Sequence, residues 1–228
     1  MADSISDGDP TTWLDSSERE RYRRFKHPGA AARFLLARTM LKSLVAVLES
    51  VSPESIELVY SANGKPSLPG AGRPFFSISH CATAVAVALA PFDLGVDLEV
   101  VERPTRPWLR PGHFLHPDEA ERLNELPEDL QAQFFTHRWT CQEAAVKLLD
   151  SSIFNREARV RFRGDISSGE CAGNKLCFSS WEIRSESGQV SPFKSRSGGD
   201  LVLSLAAVGP LSNIRVGRWG EVSCRQSV

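Results

Sequence analysis

Apolar residues recur at three- and four-residue spacing through 30–50, where Phe34, Leu35, Ala37, Leu41, Leu44, Val45 and Leu48 predict the longest helix of the first half. Arg38 and Lys42, four apart, share one face of it. A second pattern of this kind (Leu130, Phe134, Phe135, Trp139, Ala144, Ala145, Leu148, Leu149) predicts a helix over about 129–150, with Pro127 ahead of it. Between the two helices the period changes. Ile56–Tyr60 reads as a strand, and Asn63-Gly64-Lys65-Pro66 opens a loop rich in turn residues. Phe75–Ser79, Ala84–Leu89 and Leu94–Val100 then follow with links too short for crossovers, which predicts an antiparallel meander. Beyond the second helix, strands are expected at 158–163, 176–184, 200–208 and 213–219, with a Gly/Ser-rich hairpin region near 185–199. Shorter helices begin at the cap-type serines Ser16-Ser17 and at His116–Leu123, and His27-Pro28-Gly29 breaks the first of these. Residues 1–12 read as a mobile leader.

Pro104, Pro107 and Pro111 mark a linker, which divides the chain into halves at 1–102 and 103–228. Each half reads as a long helix followed by antiparallel strands. The expectation is therefore an α+β fold with a duplicated unit, although no residue-level repeat supports the duplication. With 24% charged and 41% hydrophobic residues, the composition is globular and argues against long disorder. The net charge of −1 gives no global field to recruit nucleic acid or a membrane surface, so any attraction for anions must be local. Five cysteines form an odd set without a C-x-x-C pair, which fits free thiols in a reducing cytosol. The acidic N-terminus lacks the basic and apolar regions of a signal peptide, and no stretch approaches the roughly 20 apolar residues of a membrane span. The expectation is a soluble cytoplasmic protein, monomeric by default.

Candidate chemistry sits on these elements. In Leu94-Gly95-Val96-Asp97-Leu98-Glu99-Val100, strand alternation puts Asp97 and Glu99 on one face, about 7 Å apart. Such a pair suits Mg²⁺, a hard cation that takes oxygen ligands; the bland alternative is an amphipathic strand with solvated acids. Glu143 and Lys147 lie four apart on the second long helix in the favourable acid-first order, as a third carboxylate with an ammonium beside it or as an ordinary helix ion pair. Ser79 and His80 end a strand and suit a phosphate or pyrophosphate, or else bond backbone. Lys65 in its Gly-Lys-Pro turn, and the basic run from Arg19 to Lys26 that includes Arg21, have solvated readings as well.

Taken in order, Gly64-Lys65-Pro66, Ser77-Ile78-Ser79-His80, Gly95-Val96-Asp97-Leu98-Glu99 and Trp139-Thr140-x-x-Glu143-Ala144-x-x-Lys147 resemble the 4′-phosphopantetheinyl transferases of the surfactin-synthetase type. The separation of 46 positions from Asp97 to Glu143 matches that family's, and the likeness runs from about Ser16 to about Phe162. The resemblance implies two pseudo-symmetric α+β halves with the active site in the cleft between them. It also implies the reaction: Mg²⁺-dependent transfer of 4′-phosphopantetheine from coenzyme A to a serine of an apo acyl or peptidyl carrier protein, with release of adenosine 3′,5′-bisphosphate. By motif, Asp97, Glu99 and Glu143 match metal ligands, Lys147 a lysine near the phosphates, and His80 a pyrophosphate contact. Lys65 and Lys42 match groups at the coenzyme's nucleotide end, with Arg21 a weaker match, and Ser79 stands among the coenzyme contacts. Glu143, directly or through a water on the metal, is the candidate base.

Three departures from the family pattern are present. Gln142 replaces the usual lysine, so Gln142→Lys is expected to keep or raise activity. Leu148-Leu149-Asp150-Ser151-Ser152 replaces a Gly-x-Gly turn, and the segment before Trp13 is short and polar. The competing expectations are a relative that binds coenzyme A or carrier protein without turnover, and a Mg²⁺ phosphohydrolase that lacks an obvious clustered nucleophile.

Overall fold

The computed structural model describes residues 9–101, 110–163, 167–184, 187, 189–192 and 200–217. They form two compact units, one made of the described residues up to Glu57 with those from Asn213, the other of Leu58–Ser212.

In the first unit, helix α1 (Ser16–Arg23) starts from Asp15, one residue before the expected serine caps. The Asp15 carboxylate accepts from the Glu18 N–H at 2.8 Å, and the Glu18 side chain accepts from the Asp15 N–H at 3.1 Å. Pro28 opens helix α2 (Pro28–Glu49), since its missing N–H costs nothing in a first turn. The same proline that separates the helices thus begins the second. Glu18 is buried and holds Arg38 Nε at 2.7 Å and Lys42 Nζ at 2.8 Å, so the i,i+4 pair of cations serves an internal acid. Lys42 also donates to the Trp13 carbonyl at 2.7 Å.

The second unit carries strands β1 (Val59–Tyr60), β2 (Pro66–Ser67), β3 (Phe75–His80), β4 (Val85–Ala90) and β5 (Leu94–Val100), and helices α3 (Pro117–Glu125) and α4 (Glu128–Leu148). Strands β6 (Arg161–Phe162), β7 (Ser168–Cys171), β8 (Asn174–Ile183), β9 (Val190–Pro192) and β10 (Leu201–Ala207) follow. The main sheet runs β5-β10-β8-β7-β6, with β9 also on β8, and every pairing is antiparallel. The fold is α+β, as expected, but its division is not the expected one. β5 pairs along its whole length with β10, from Leu94 opposite Ala207 to Val100 opposite Leu201, so a boundary at 102/103 would cut a continuous ladder. The proposed linker prolines Pro104 and Pro107 lie outside the described residues, as do most of the leader and of the 185–199 hairpin region. The strand expected at 56–60 shrinks to two residues, and none forms over 213–217. Polar Ser168-Gly169-Glu170-Cys171 is a strand that alternation did not suggest, with Gly169 packed tightly against Val160 and Arg161. Among the described residues, no helix is long and apolar enough to cross a membrane.

The other edge of β5 has an unusual partner. Its Val96 N–H donates to Ser77 Oγ at 3.0 Å and its Leu98 N–H to Ser79 Oγ at 3.2 Å, so hydroxyls of β3 replace a backbone ladder. The β3–β4 hairpin thereby docks beside the main sheet without joining it.

Helix α4 crosses β5 and β10 on the face that carries Gly95, Asp97 and Glu99. A Cβ at Gly95 would lie 1.8 Å from the Ala144 carbonyl oxygen and 2.7 Å from Leu148 N. Only glycine allows this approach. Gly95→Ala is expected to destabilise the protein by about 1–3 kcal/mol or more, since helix backbone must move. A thermal or denaturant midpoint equal to wild type would show that the contact is dispensable.

Candidate active site

Asp97 is buried, at 3% exposure. Its Oδ1 receives Lys147 Nζ at 2.6 Å and the Ser79 hydroxyl at 2.7 Å. Lys147 Nζ also donates to Ser79 Oγ at 3.0 Å and the Val96 carbonyl at 3.2 Å, which spends its three protons. Ser79 is saturated as well, donating once and accepting from Lys147 and the Leu98 N–H. In contrast, Oδ2 of Asp97 is buried with no hydrogen-bond partner among the described residues.

Glu99 and Glu143 are half-buried beside this pair. The Glu99 carboxyl is pushed up to about 7, first by burial and then by the charge of Asp97. Glu143 is likewise pushed up to about 7 by burial and by Asp97, against the opposing pull of Lys147. Glu143 also adds to the upward push on Glu99, so the three acids from strand and helix act on one another. As placed, no group of three carboxylate, histidine or cysteine side chains among the described residues closes into a metal site. One cation, Lys147, already stands on Asp97. The chemistry of the set nonetheless fits a hard divalent ion: three carboxylates, two of them pushed up to about 7 by burial and by Asp97, and one buried oxygen without a donor.

Trp139, an apolar position of the helix pattern and the first residue of the helix motif, also reaches the site. Its side chain hydrogen-bonds Glu99 and favours the ionised form. The indole is held between Phe135, stacked at 6.3 Å, and Phe114, edge-on at 5.3 Å. The available signal was its position one turn before Glu143, with a donor-only indole that needs an acceptor when buried.

The other expected residues divide. His80 is exposed at the end of β3, and Arg21 is exposed on α1 with its guanidinium 5.4 Å from the Phe34 ring centre. Lys65 bonds both Asp93 oxygens, at 2.9 and 3.1 Å, and the Leu148 carbonyl at 2.9 Å, which caps the C-terminus of α4 with a positive charge. Asn63 adds a bond to the Asp150 carbonyl. Lys42 is engaged inside the first unit, as described above. Gln142 corrects its expectation: its amide is buried, donates to the Ala158 carbonyl and accepts from the Val160 N–H at 2.7 Å. It ties α4 to the backbone just before β6, where a lysine could not make both bonds.

An open cleft of about 470 Å³ lies elsewhere, lined by Asp118, Arg122, Arg161, Phe162 and Arg163. It contains none of these candidates, and its guanidiniums face the carboxylates of Glu119, Asp118 and Glu170.

Residues 93–205, which carry β5, α4 and the main sheet, match the family profile of the 4′-phosphopantetheinyl transferase superfamily. The chain is 25% identical over 169 residues to a 4′-phosphopantetheinyl transferase of Bacillus subtilis, covering 72% of this chain and 75% of the relative. It is 30% identical over 151 residues to the 4′-phosphopantetheinyl transferase HetI of a Nostoc species, covering 63% and 62%. Against the 4′-phosphopantetheinyl transferase Sfp of Bacillus subtilis it is 26% identical over 136 residues, covering 60% of each. The chain thus spans less than two thirds of the latter two relatives.

Two predictions follow from the geometry. Glu99 and Glu143 hold protons to about pH 7 in the fold but only to about their ordinary value of 4.5 when unfolded. The folded state therefore binds more protons in that window, and stability is full below about 4.5 and lost as pH rises through about 7. The melting temperature of metal-free protein should fall between pH 5 and 8, and Glu99→Gln should flatten the fall; an unchanged slope would refute the raised carboxyls. Gln142→Lys should cost roughly 1–3 kcal/mol, because the Val160 N–H loses its acceptor and a charge is buried. Unfolding midpoints of that variant at or above wild type would overturn the structural role of Gln142.

Proposed function

We propose, on the premise that the chain belongs to the 4′-phosphopantetheinyl transferase superfamily and shares its enzyme class, that it moves the 4′-phosphopantetheine arm of coenzyme A to a serine of an apo carrier protein, with Mg²⁺, and releases adenosine 3′,5′-bisphosphate. The observation that carries the reading is the buried Asp97–Lys147 pair with Glu99 and Glu143 beside it, held near neutral pKa.

Asp97, Glu99 and Glu143 would hold the ion, which requires Glu99 and Glu143 to give up their protons and turn toward the partnerless Oδ2 of Asp97. When bound, Mg²⁺ supplies charge neutralisation at the pyrophosphate and orientation for in-line attack. Lys147, relieved of part of its duty to Asp97, can turn its ammonium to a non-bridging oxygen. His80, exposed at the end of β3, can donate to the pyrophosphate of the leaving group. Glu143 can accept the carrier serine's proton, since a carboxyl near 7 is well matched to that work at neutral pH. Trp139 would keep the Glu99 carboxylate turned toward the ion. His80, exposed, keeps its proposed coenzyme contact, whereas Lys65 and Ser79 already have partners within the second unit. The reading of a relative without turnover draws on Gln142 and on the short polar segment before Trp13; the buried backbone bonds of Gln142 weaken the first of these supports.

The direct test is to incubate the protein with coenzyme A, Mg²⁺ and an apo carrier protein and weigh the carrier. A gain equal to phosphopantetheine supports transfer; cleaved coenzyme with an unmodified carrier means hydrolysis, and intact coenzyme means binding alone. Asp97→Ala and Lys147→Ala should each cost at least about 10²-fold in kcat. Near-normal transfer by Asp97→Ala would sink the metal assignment.

A further inference from the structure

A polar row crosses the main sheet beneath α4, leading away from Asp97. Asp97 on β5 stands directly opposite Ser204 on β10, which stands directly opposite Ser180 on β8. Above this row sit Thr140 and His137 of α4, and Thr140, His137 and Ser204 are all buried.

The partners leave one consistent direction for the protons of the row, and the Cys141 thiol adds a weak donor to Ser204 Oγ at 3.5 Å. Thr140 Oγ1 donates to the His137 carbonyl at 2.9 Å, so it must accept from Ser204 Oγ at 2.7 Å. Ser204 has then used its only proton, and Ser180 Oγ donates to it at 2.9 Å. Ser180 in turn accepts from His137 Nε2–H at 3.0 Å. His137 Nδ1 is left as an acceptor and faces the Arg138 guanidinium at 3.0 Å, which Glu119 anchors from α3. Burial, then the charge of Arg138, pushes His137 down to about 3, which keeps the ring in this neutral form. The chain of bonds closes on the helix that starts it.

Such a row gives the interface no advantage in stability over apolar residues of the same shape, because each group exchanges one partner for another. It does favour one arrangement over all others, since any slip leaves buried donors unpaired. Thr140 is also well placed to transmit orientation. Lys147 lies seven residues on, two turns along the same side of α4, and Glu143 lies three residues on. A 20° rotation of α4 would carry side-chain atoms at its surface by roughly 2 Å, enough to part Lys147 from Asp97.

We propose that His137, Thr140, Ser180 and Ser204 are positioning residues, whose ordered hydrogen bonds set the rotation of α4 over β5 and β10 and so bring Lys147 and Glu143 to Asp97. The kinetic part of this inference rests on the proposed transferase reaction; the structural part does not. Thr140→Val keeps the shape and removes the hydroxyl, and Thr140→Ser keeps the hydroxyl. Nitrogen–proton NMR of the full chain, with no ligand added, reads the Lys147 ammonium and the His137 Nε2–H. Both signals should shift or vanish in Thr140→Val and return in Thr140→Ser. In the transfer assay, Thr140→Val should lose at least tenfold in kcat at near-constant KM for coenzyme A, and Thr140→Ser should recover most of it. Unmoved signals in a folded Thr140→Val would overturn the proposal, as would a shared loss in both variants. Should Thr140→Val fail to fold, Ser180→Ala, at the less buried end of the row, is read in the same way and decides it. Wild-type protein without transfer activity would defeat the transferase reading, while the Lys147 signal would still decide the positioning role.

Discussion

The contact between Gly95 and the backbone of α4 is the constraint on which the rest of this arrangement depends. With no Cβ in the way, the Ala144 carbonyl can approach to a distance that any other residue would forbid. Two residues along the strand, on the same face, comes Asp97; one residue before Ala144 and three beyond it come Glu143 and Lys147. A single close approach therefore fixes strand acid, helix acid and helix ammonium at once. Held further apart, Lys147 would lose Asp97, and the buried carboxylate would face its desolvation cost without a counter-charge.

Around that contact, backbone groups that a sheet would ordinarily satisfy are met by side chains. The Ser77 and Ser79 hydroxyls take two N–H groups of β5, Gln142 takes a carbonyl and an N–H at the start of β6, and Lys65 and Asn63 take carbonyls at the end of α4. Each substitution leaves the strand or helix where it is but ties it to a different part of the chain. Ser79 does most in this respect, since the same oxygen secures β5, bonds Asp97 and receives Lys147.

Periodicity carried the helices and β3 to β5 because their burial is one-sided or complete and their lengths are sufficient to show a pattern. The i,i+2 and i,i+4 spacings likewise placed Asp97 with Glu99 and Glu143 with Lys147. What spacing could not show is which partner a charged residue would find. Lys42 and Lys65 look like free cations in sequence, but Glu18 lies 24 residues before one and Asp93 lies 28 residues after the other. Gln142 was misleading for a related reason: its neighbours Ala158 and Val160 are supplied by a turn that returns to the helix, which no local pattern reveals. The domain boundary failed because the prolines mark a break in local structure, whereas the β5–β10 ladder joins residues about a hundred apart.

The charge balance gives the site its chemical character. Three carboxylates share one ammonium, and burial keeps water from spreading the remaining charge, so the cheapest response is proton uptake by Glu99 and Glu143 near neutral pH. Protons and a divalent cation are then alternatives for the same deficit. In the proposed reaction the exchange also alters the standing of Lys147: once another positive charge answers Asp97, the ammonium is over-supplied where it is and can turn to an incoming phosphate. A site with Lys147 and Asp97 alone would already be neutral and would have no such reason to change partners. In that reaction the excess of acid over base would couple the loading of the site to the release of its lysine.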